Sequence, residues 1–158
     1  MLKIHKQVHF PQINTTKSHF KHTALVGIGG NVGNVLKRFE RVYYTLQKHP
    51  QVWIKESSFI LQNPPFGFAD QNDFYNAVLV LQTTFAPREL LKFLLHVEKI
   101  FKRRRSFKNA PRTLDLDIIF FDDVCYRHKK LIIPHPHWQK RDSVIIPMAS
   151  LHNFRRKI

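Results

Sequence analysis

The chain has 158 residues, of which 43% are hydrophobic, and this suits one compact domain with a single core. No stretch approaches the roughly 20 apolar residues of a membrane span, and charged side chains from Lys3 onward interrupt the apolar run that a signal peptide needs. The formal net charge of +15 attracts polyanions such as nucleotides, nucleic acids and anionic membranes, although a generally basic surface without a dedicated partner is its commonest explanation. Because Cys125 is the only cysteine, an intramolecular disulfide is excluded, and the reducing cytoplasm is the expected compartment. We also expect a monomer that contacts no membrane.

Residues 1–22 mix lysine, histidine, threonine and glutamine without periodicity. We interpret them as an N-terminal extension, with room for one short edge strand, in front of a single domain over residues 23–158. The histidines of this extension have no tight ligand spacing, so we expect a solvated or surface-packed segment rather than a metal site.

The first strand and helix of the domain have clear signals. TALVGIG at residues 23–29 indicates a buried strand, and the turn GGNVGN follows, in which Gly29, Gly30 and Gly33 permit positive φ. Apolar residues then recur at helical spacing from Leu36 until the pattern stops before Pro50.

The remaining elements follow in order along the chain. We expect an extended segment at 52–61, a loop at 63–73, a central strand at 75–83, a helix from Pro87 to about Phe101, a basic loop, a strand at 114–122, and then short pieces interrupted by prolines. Strand, helix, strand, strand, helix, strand is the split βαβ pattern of a ferredoxin-like α+β sandwich, an antiparallel sheet with helices on one face. This fold supports many functions, so it does not identify the chemistry.

The segment PRTLDLD at residues 111–117 carries the most chemical information. Residues two apart on a strand point to the same face, so Asp115 and Asp117 project together while Leu116 turns to the core. Two neighbouring carboxylates suit a pair of hard cations about 4 Å apart that bridge phosphate oxygens. An isolated D-x-D also occurs on the polar outer face of an edge strand, and that alternative stays open at this point.

Basic side chains accompany this pair in the sequence. Arg112 precedes it, the cluster 103–105 lies upstream, and His135 and Arg141 lie downstream. Since guanidinium groups bind phosphate bidentately, carboxylates together with arginines favour a metal-triphosphate site. Taken alone, the cluster is equally explained as a solvated basic loop and His135 as a structural histidine. The sequence has no G-x-x-x-x-G-K-[ST], so the phosphates are not held by a Walker loop.

With these residues, the sequence resembles the 6-hydroxymethyl-7,8-dihydropterin pyrophosphokinases from about Ala24 to Met148. Its markers are GIGGNVGN, SSFILQNPPFGFADQNDFYNAV, the apolar helix ending at Glu98, the arginine cluster, APRTLDLDIIFFD and IPHPHWQKRDSVIIPM. PRTLDLDI followed by IPHP is highly specific in combination. The resemblance implies a ferredoxin-like sandwich, two Mg²⁺ ions, binding of ATP before the pterin, and transfer of diphosphate from ATP to the pterin hydroxymethyl group in folate biosynthesis.

The resemblance also implies roles for individual residues. Asp115 and Asp117 match the metal-binding aspartates, and Arg103 and Arg105 match the arginines of a mobile catalytic loop. With Arg112, these residues form the implied catalytic set. The implied ATP-binding residues are Arg112, Ile118, His135 and Arg141. The implied pterin-binding residues are Asn63, Pro64, Phe66, Phe74 and Asn76.

The chemistry of a pterin agrees with two of these positions. A pterin is a flat heteroaromatic ring with an amino-lactam edge, so it needs a ring to stack on and an amide that both donates and accepts. Phe74 and Asn76 are two apart at the entrance of a strand and face the same side. Without the resemblance, the commoner explanation of Phe74 is a core aromatic, and that of Asn76 is an amide that satisfies a loop.

Three positions depart from the family pattern: Gly30 replaces a common serine, Asn109 a common tryptophan, and Ser143 a common second stacking aromatic. We therefore expect a pterin pocket that is looser, or completed by another side chain. Two other functions stay open: a ferredoxin-like RNA-binding module, and a relative that binds nucleotide without transfer. The first lacks an RNP1-like motif, and an aspartate pair without metal would repel RNA phosphates.

Overall fold

The computed structural model describes residues 2–16, 19–65, 70–103, 111–152 and 154. The strands within these residues are β1 (Lys3–His5), β2 (Gln12–Ile13), β3 (His22–Gly30), β4 (Val52–Ser57), β5 (Ile60–Asn63), β6 (Phe74–Thr83), β7 (Asp115–Phe121), β8 (Tyr126–His128) and β9 (Leu131–Ile133). The helices are α1 (Val35–Gln47), α2 (Pro87–Ile100), α3 (Asp142–Ala149) and a 3₁₀ turn at Trp138–Lys140. None of these helices is long and apolar enough to cross a membrane.

The main sheet has the antiparallel ferredoxin-like arrangement that the sequence predicts. β3 pairs with β6 on one side and with β7 on the other, and both pairings are antiparallel. The expected extended segment at 52–61 divides into β4 and β5, which both pair with β6. The chain therefore runs β3, α1, β4 and β5, β6, α2, β7, which confirms the predicted order.

One face of the sheet forms the larger core with the two predicted helices. Alternate residues of β3, such as Val26 and Ile28, pack against buried side chains of α1 and α2, such as Phe39 and Leu94. Helix α1 begins where local chemistry favours it, because the Asn34 side chain caps it by accepting from the Lys37 amide. This face holds the sheet rigid beneath the site.

The opposite face carries a smaller core and remains partly open. α3 covers it with Val144, which packs with Leu25, Val78 and Phe120. Helix α3 was not expected, because the sequence analysis read this region as short pieces between prolines. A register shift in the pairing of β3 with β7 falls between Leu25 and Val26 on β3. The open part of this face is where the predicted site residues meet.

Residues 2–16 are tied to the sheet more extensively than one edge strand would require. β1 pairs with β5 and β2 with β4, and Phe10 between them is fully buried in the larger core. The Glu40 carboxylate accepts from the His9 backbone amide at 2.9 Å and forms an ion pair with the His9 ring. The segment therefore has a fixed position beside the sheet.

The turn after β3 differs from the sequence expectation. Gly29 and Gly30 belong to β3, and Gly33, with φ +70°, is the one glycine of the three with a positive φ. Gly30 is required for close approach and not for its φ, since a Cβ there would lie 2.6 Å from the Thr113 carbonyl oxygen. This glycine lets the segment before β7 approach the end of β3.

Candidate active site

A cavity of about 370 Å³ lies on the open face of the sheet, between β7, β6 and the segment that leads into α3. Most of the predicted site residues that the structure describes line it: Asn63, Pro64, Phe74, Asn76, Arg112, Asp115, Asp117, His135 and Arg141. The structure therefore brings both halves of the predicted site, the acidic and basic half and the aromatic and amide half, into one cavity.

The register of three strands explains why these side chains converge. Asn76 on β6 lies opposite Gly29 on β3, which in turn lies opposite Asp115 on β7. Residues directly opposite share a face of a sheet, so the amide and the carboxylate project into the same space. Gly27 lies opposite Asp117 in the same way. Because both β3 positions are glycines, the floor of the cavity is backbone.

Asp115 is held by two arginines. Its Oδ1 accepts from Arg103 Nη1 at 2.6 Å and its Oδ2 from Arg112 Nη1 at 3.0 Å. Burial is the largest single influence and would raise the pKa of Asp115, but the charges and hydrogen bonds of the two arginines outweigh it. The pKa of Asp115 is therefore lowered, and this carboxylate is ionised throughout the physiological range.

Asp117 has the opposite electrostatic setting. Burial, followed by the charges of Asp115 and Glu98, raises its pKa to about 7, against the weaker opposing effect of Arg103 and Arg141. Two carboxylates on one face with separated pKa values form a site where negative charge is incompletely compensated. Such a site favours the binding of a cation.

The donor set fits magnesium bound together with a phosphorylated ligand. Among the described residues there is no cluster of three or more histidine, cysteine, aspartate or glutamate side chains that could form a metal site from protein ligands alone. Magnesium is commonly held by one or two carboxylates and completes its shell with water and substrate phosphates. Asp115 and Asp117 would supply those carboxylates.

Arg103 occupies a position that sequence reasoning did not specify. Its Nη1 also donates to Glu98 Oε2 at 3.0 Å, so the guanidinium lies between Glu98 and Asp115 with its side chain only 9% exposed. The same Glu98 oxygen accepts from the Leu116 amide of β7 at 2.8 Å, in a buried position. Burial would lower the pKa of Arg103, but Asp115 and Glu98 outweigh it and raise the pKa. Glu98, known from sequence only as the end of an apolar helix, therefore links α2, β7 and Arg103.

The aromatic and amide half is built on β5 and β6. Asn76 Nδ2 donates to Asn63 Oδ1 at 2.8 Å, and Asn63 Nδ2 donates to the Pro64 carbonyl at 3.1 Å. The Arg112 guanidinium lies over the Phe74 ring, 5.6 Å from its centroid. Arg112 therefore contacts both halves of the cavity, Asp115 on one side and the ring on the other.

His135 and Arg141 approach the carboxylates from the segment between β9 and α3. The His135 amide donates to the Ile119 carbonyl at 2.9 Å, which fixes the histidine against β7. Burial, and next the charge of Arg141, lowers the pKa of His135, so its imidazole is neutral at pH 7. A neutral imidazole beside a guanidinium can donate one hydrogen bond to a phosphate oxygen without adding a second charge.

Asn31 is a positioning residue that the sequence analysis missed. Its side chain is buried, and its Oδ1 accepts from the Arg112 backbone amide at 2.9 Å. Its backbone amide donates to the Arg112 carbonyl at 3.0 Å. Its Nδ2 donates to Gln71 Oε1 at 2.8 Å. The only sequence signal was its place in the glycine-rich turn, which is also the signal of an ordinary turn asparagine.

The structure does not bring three of the predicted residues to the cavity as side chains that can be described. Ile118 packs its side chain in the larger core, so only its backbone could contact a nucleotide. Arg105 and Phe66 lie outside the described residues, as does most of the predicted mobile loop. Their predicted roles stay predictions.

Comparison with known proteins identifies the family of the chain. The model of the 7,8-dihydro-6-hydroxymethylpterin-pyrophosphokinase family matches residues 25–153. A Campylobacter jejuni protein named 2-amino-4-hydroxy-6-hydroxymethyldihydropteridine pyrophosphokinase is 41% identical over 157 residues, 96% of this chain and all of that protein. The Helicobacter pylori protein of that name is 39% identical over 142 residues, covering 89% of this chain and 87% of that protein. One from Aquifex aeolicus is 35% identical over 133 residues, covering 82% and 79%. The chain belongs to the 7,8-dihydro-6-hydroxymethylpterin-pyrophosphokinase family.

Proposed function

We propose that this protein transfers the terminal diphosphate of ATP to the hydroxymethyl group of 6-hydroxymethyl-7,8-dihydropterin, a step of folate biosynthesis. The observation that carries this conclusion is the single cavity in which Asp115 and Asp117 face Asn76 and Phe74 across the glycine floor of β3. Family membership gives the reaction class, and it disfavours the RNA-binding alternative.

The triphosphate half can lower the barrier by charge stabilisation. The pterin hydroxyl oxygen attacks the β-phosphorus of ATP and loses its proton to solvent. The bond from that phosphorus to the oxygen of the α-phosphate breaks, and AMP leaves with that oxygen. Arg112 and Arg141 line the cavity and can neutralise negative charge on the transferred group. Neutral His135 can donate to the same phosphates.

In our proposal, Asp115 and Asp117 would hold two Mg²⁺ ions, because two neighbouring magnesium ions need adjacent carboxylates as ligands. Bound magnesium would neutralise phosphate charge and orient the chain of phosphates. The high pKa of Asp117 supports a cation here, since an added positive charge would relieve the repulsion that raises it.

The pterin half orients the acceptor. Asn76 can donate from Nδ2 and accept at Oδ1, which matches the amino-lactam edge of a pterin, and its bond to Asn63 sets which atom faces the cavity. Phe74 offers apolar ring surface two residues away. Holding both reactants in one geometry supplies much of the rate enhancement expected of such a transfer. We also propose that the protein works as a monomer in the cytoplasm, a reducing compartment that suits a sequence with Cys125 as its single cysteine.

One assay tests the proposal. The protein is incubated with Mg²⁺ and ATP, with and without 6-hydroxymethyl-7,8-dihydropterin, and AMP is measured. We expect AMP only when the pterin is present, in amounts equal to the pterin diphosphate formed. ATP binding without AMP would support a relative that has lost transfer, and ADP as the product would contradict diphosphate transfer.

A further inference from the structure

Leu2 lines the candidate active-site cavity, although the sequence analysis placed it in an extension without a function. The residue is 46% exposed, so part of its surface is open to a ligand. An apolar side chain that lines a ligand cavity is a candidate ligand contact.

The sheet register fixes where Leu2 lies. Lys3 is opposite Gln62 on β5, and Asn63 is opposite Phe74 on β6. Carrying the antiparallel register one residue beyond Lys3 places Leu2 beside Asn63. Leu2, Asn63 and Phe74 thus form a row across three strands, on the face that also carries Asn76.

The segment that carries Leu2 is anchored at several points. His5 Nε2 lies 2.8 Å from Gln62 Oε1, and the His5 ring meets the Tyr75 ring edge-on with centroids 5.5 Å apart. Phe10 is fully buried, and Asn14 Nδ2 donates to the Ile54 carbonyl at 2.7 Å. Leu2 is therefore held at the rim by the sheet and needs little ordering when a ligand arrives.

Phe74, Pro64 and Pro65 are apolar residues at the pterin half of the cavity, and Leu2 adds to them at the rim. Phe74 is the one phenylalanine, tyrosine or tryptophan among the described residues that line the cavity, and Arg112 covers one face of its ring. Ser143 also lines the cavity, with a side chain too short to cover a bicyclic ring. A flat heteroaromatic ligand gains affinity from contact on both faces and edges, so Leu2 can supply contact that a second aromatic ring would otherwise give.

We propose that Leu2 contacts the pterin and closes the outer end of its pocket, so that β1 supplies apolar surface where a second aromatic ring is missing. This inference rests on the proposed function and assigns a substrate-contacting role to the first strand. Leu2 then determines affinity for the pterin and leaves ATP binding unchanged, because it lies on the β5 side of the cavity, away from Asp115 and Asp117.

The test compares Leu2→Ala with Ile4→Ala and Leu2→Met. Ile4 lies on the same strand and face and is 56% exposed, but it does not line the cavity. Pterin affinity is measured by titration with Mg²⁺ and an α,β-methylene analogue of ATP, which cannot transfer diphosphate. Steady-state AMP production with each substrate varied gives both KM values.

We expect Leu2→Ala to weaken pterin binding about fivefold, the loss for removing roughly half of a leucine's apolar contact. The KM for ATP should stay unchanged, Ile4→Ala should bind like the unaltered protein, and Leu2→Met should recover most of the affinity. Leu2→Ala with unchanged pterin affinity, or with an effect equal to that of Ile4→Ala, overturns the inference. Absence of pterin-dependent AMP from the unaltered protein overturns the proposed function itself, so the two failures are distinguishable.

Discussion

Arg103 forms an ion pair with Asp115, one of the two candidate metal ligands: Nη1 of the arginine lies 2.6 Å from Oδ1 of the aspartate. The carboxylate oxygen that would bind magnesium is thus already neutralised by a side chain at the start of the predicted catalytic loop. A cation and Arg103 compete for this oxygen. Metal binding should therefore release Arg103 from β7 and make its charge available to the phosphates.

The first prediction concerns Arg103→Ala. Without nucleotide, Mn²⁺ should bind this variant more tightly than the unaltered protein, because Asp115 loses its nearest positive charge. Turnover should nevertheless fall by roughly 10²-fold or more, with a smaller change in the KM for ATP, if the guanidinium acts mainly in the transition state. Electron paramagnetic resonance of free Mn²⁺ and AMP release measure the two effects.

Lys99→Ala is the matched control, since it removes an exposed positive charge from the end of α2 and has the same effect on net charge. Its Mn²⁺ affinity and turnover should match those of the unaltered protein. Equal or weaker Mn²⁺ binding by Arg103→Ala would show that the ion pair does not compete with the metal.

The second prediction concerns Asp117→Asn. The pKa of Asp117 in the folded protein is raised to about 7, so the folded state binds more protons than the unfolded state, and stability falls as pH rises from about 4 through 7. The amide removes this repulsion, so at pH 8 the free energy of unfolding should increase by on the order of 2 kcal/mol. Transfer activity should be lost, because one of the two proposed metal-binding carboxylates is gone.

Urea unfolding at pH 5 and pH 8 without metal checks the stability change. The gain from Asp117→Asn should be present at pH 8 and nearly absent at pH 5, where Asp117 is mostly protonated. Asp115→Asn provides the contrast, because it leaves Arg103 and Arg112 without their shared carboxylate and should destabilise the protein at both pH values. A gain of equal size at both pH values for Asp117→Asn would contradict a high pKa.

The sequence alone predicts the order of the elements because local periodicity carries that information. The spacing of apolar residues in α1 and the alternation around Asp115 and Asp117 both reappear in the structure. Pairing between distant segments is not encoded locally. β1 and β2 are short, and their partners lie about 60 and 45 residues further along the chain, so their contribution could not be read from composition.

The site residues also divide into those that local sequence indicates and those that depend on contacts between distant segments. Motif and strand alternation point to Asp115 and Asp117, and the family resemblance points to Asn76. Glu98 and Asn31 act through contacts that form only after folding. Helix α3 was missed because Pro147 lies inside it, and proline usually argues against a helix interior. The Pro147 side chain is buried, so tertiary packing outweighs local propensity there.

The third prediction concerns the pH dependence of metal binding. Because Asp117 has a pKa of about 7, a cation must displace its proton below that pH, and Mn²⁺ or Mg²⁺ affinity should weaken as pH falls from 8 to 6. Calorimetric titrations in buffers with different ionisation enthalpies should detect proton release at pH 6.5 and little at pH 8.5. An affinity that does not change across this range would place the metal away from Asp117.

The fourth prediction concerns Glu98→Gln. The substituted amide can still accept from Leu116 N, but it cannot balance the buried charge of Arg103, so the free energy of unfolding should fall by about 1–3 kcal/mol. Turnover should also fall, since Arg103 loses one of the two carboxylates that position it. Glu89→Gln, which alters an exposed carboxylate in the first turn of α2, should change stability by less than about 1 kcal/mol.

The fifth prediction uses the glycine floor of the cavity. A Cβ at Gly29 would lie 2.6 Å from Asn76 Oδ1, so Gly29→Ala should displace the amide that is proposed to read the pterin edge. A Cβ at Gly27 would meet Ile119 Cδ1 at 3.5 Å, an ordinary contact. We therefore expect Gly29→Ala to raise the KM for the pterin by about tenfold or more, the loss of one or two well-placed hydrogen bonds. Gly27→Ala should change it much less, although both add one methyl group to the same strand and face. Steady-state kinetics with the pterin varied at saturating ATP compares the two, and equal effects from the two variants would mean that Asn76 does not orient the substrate.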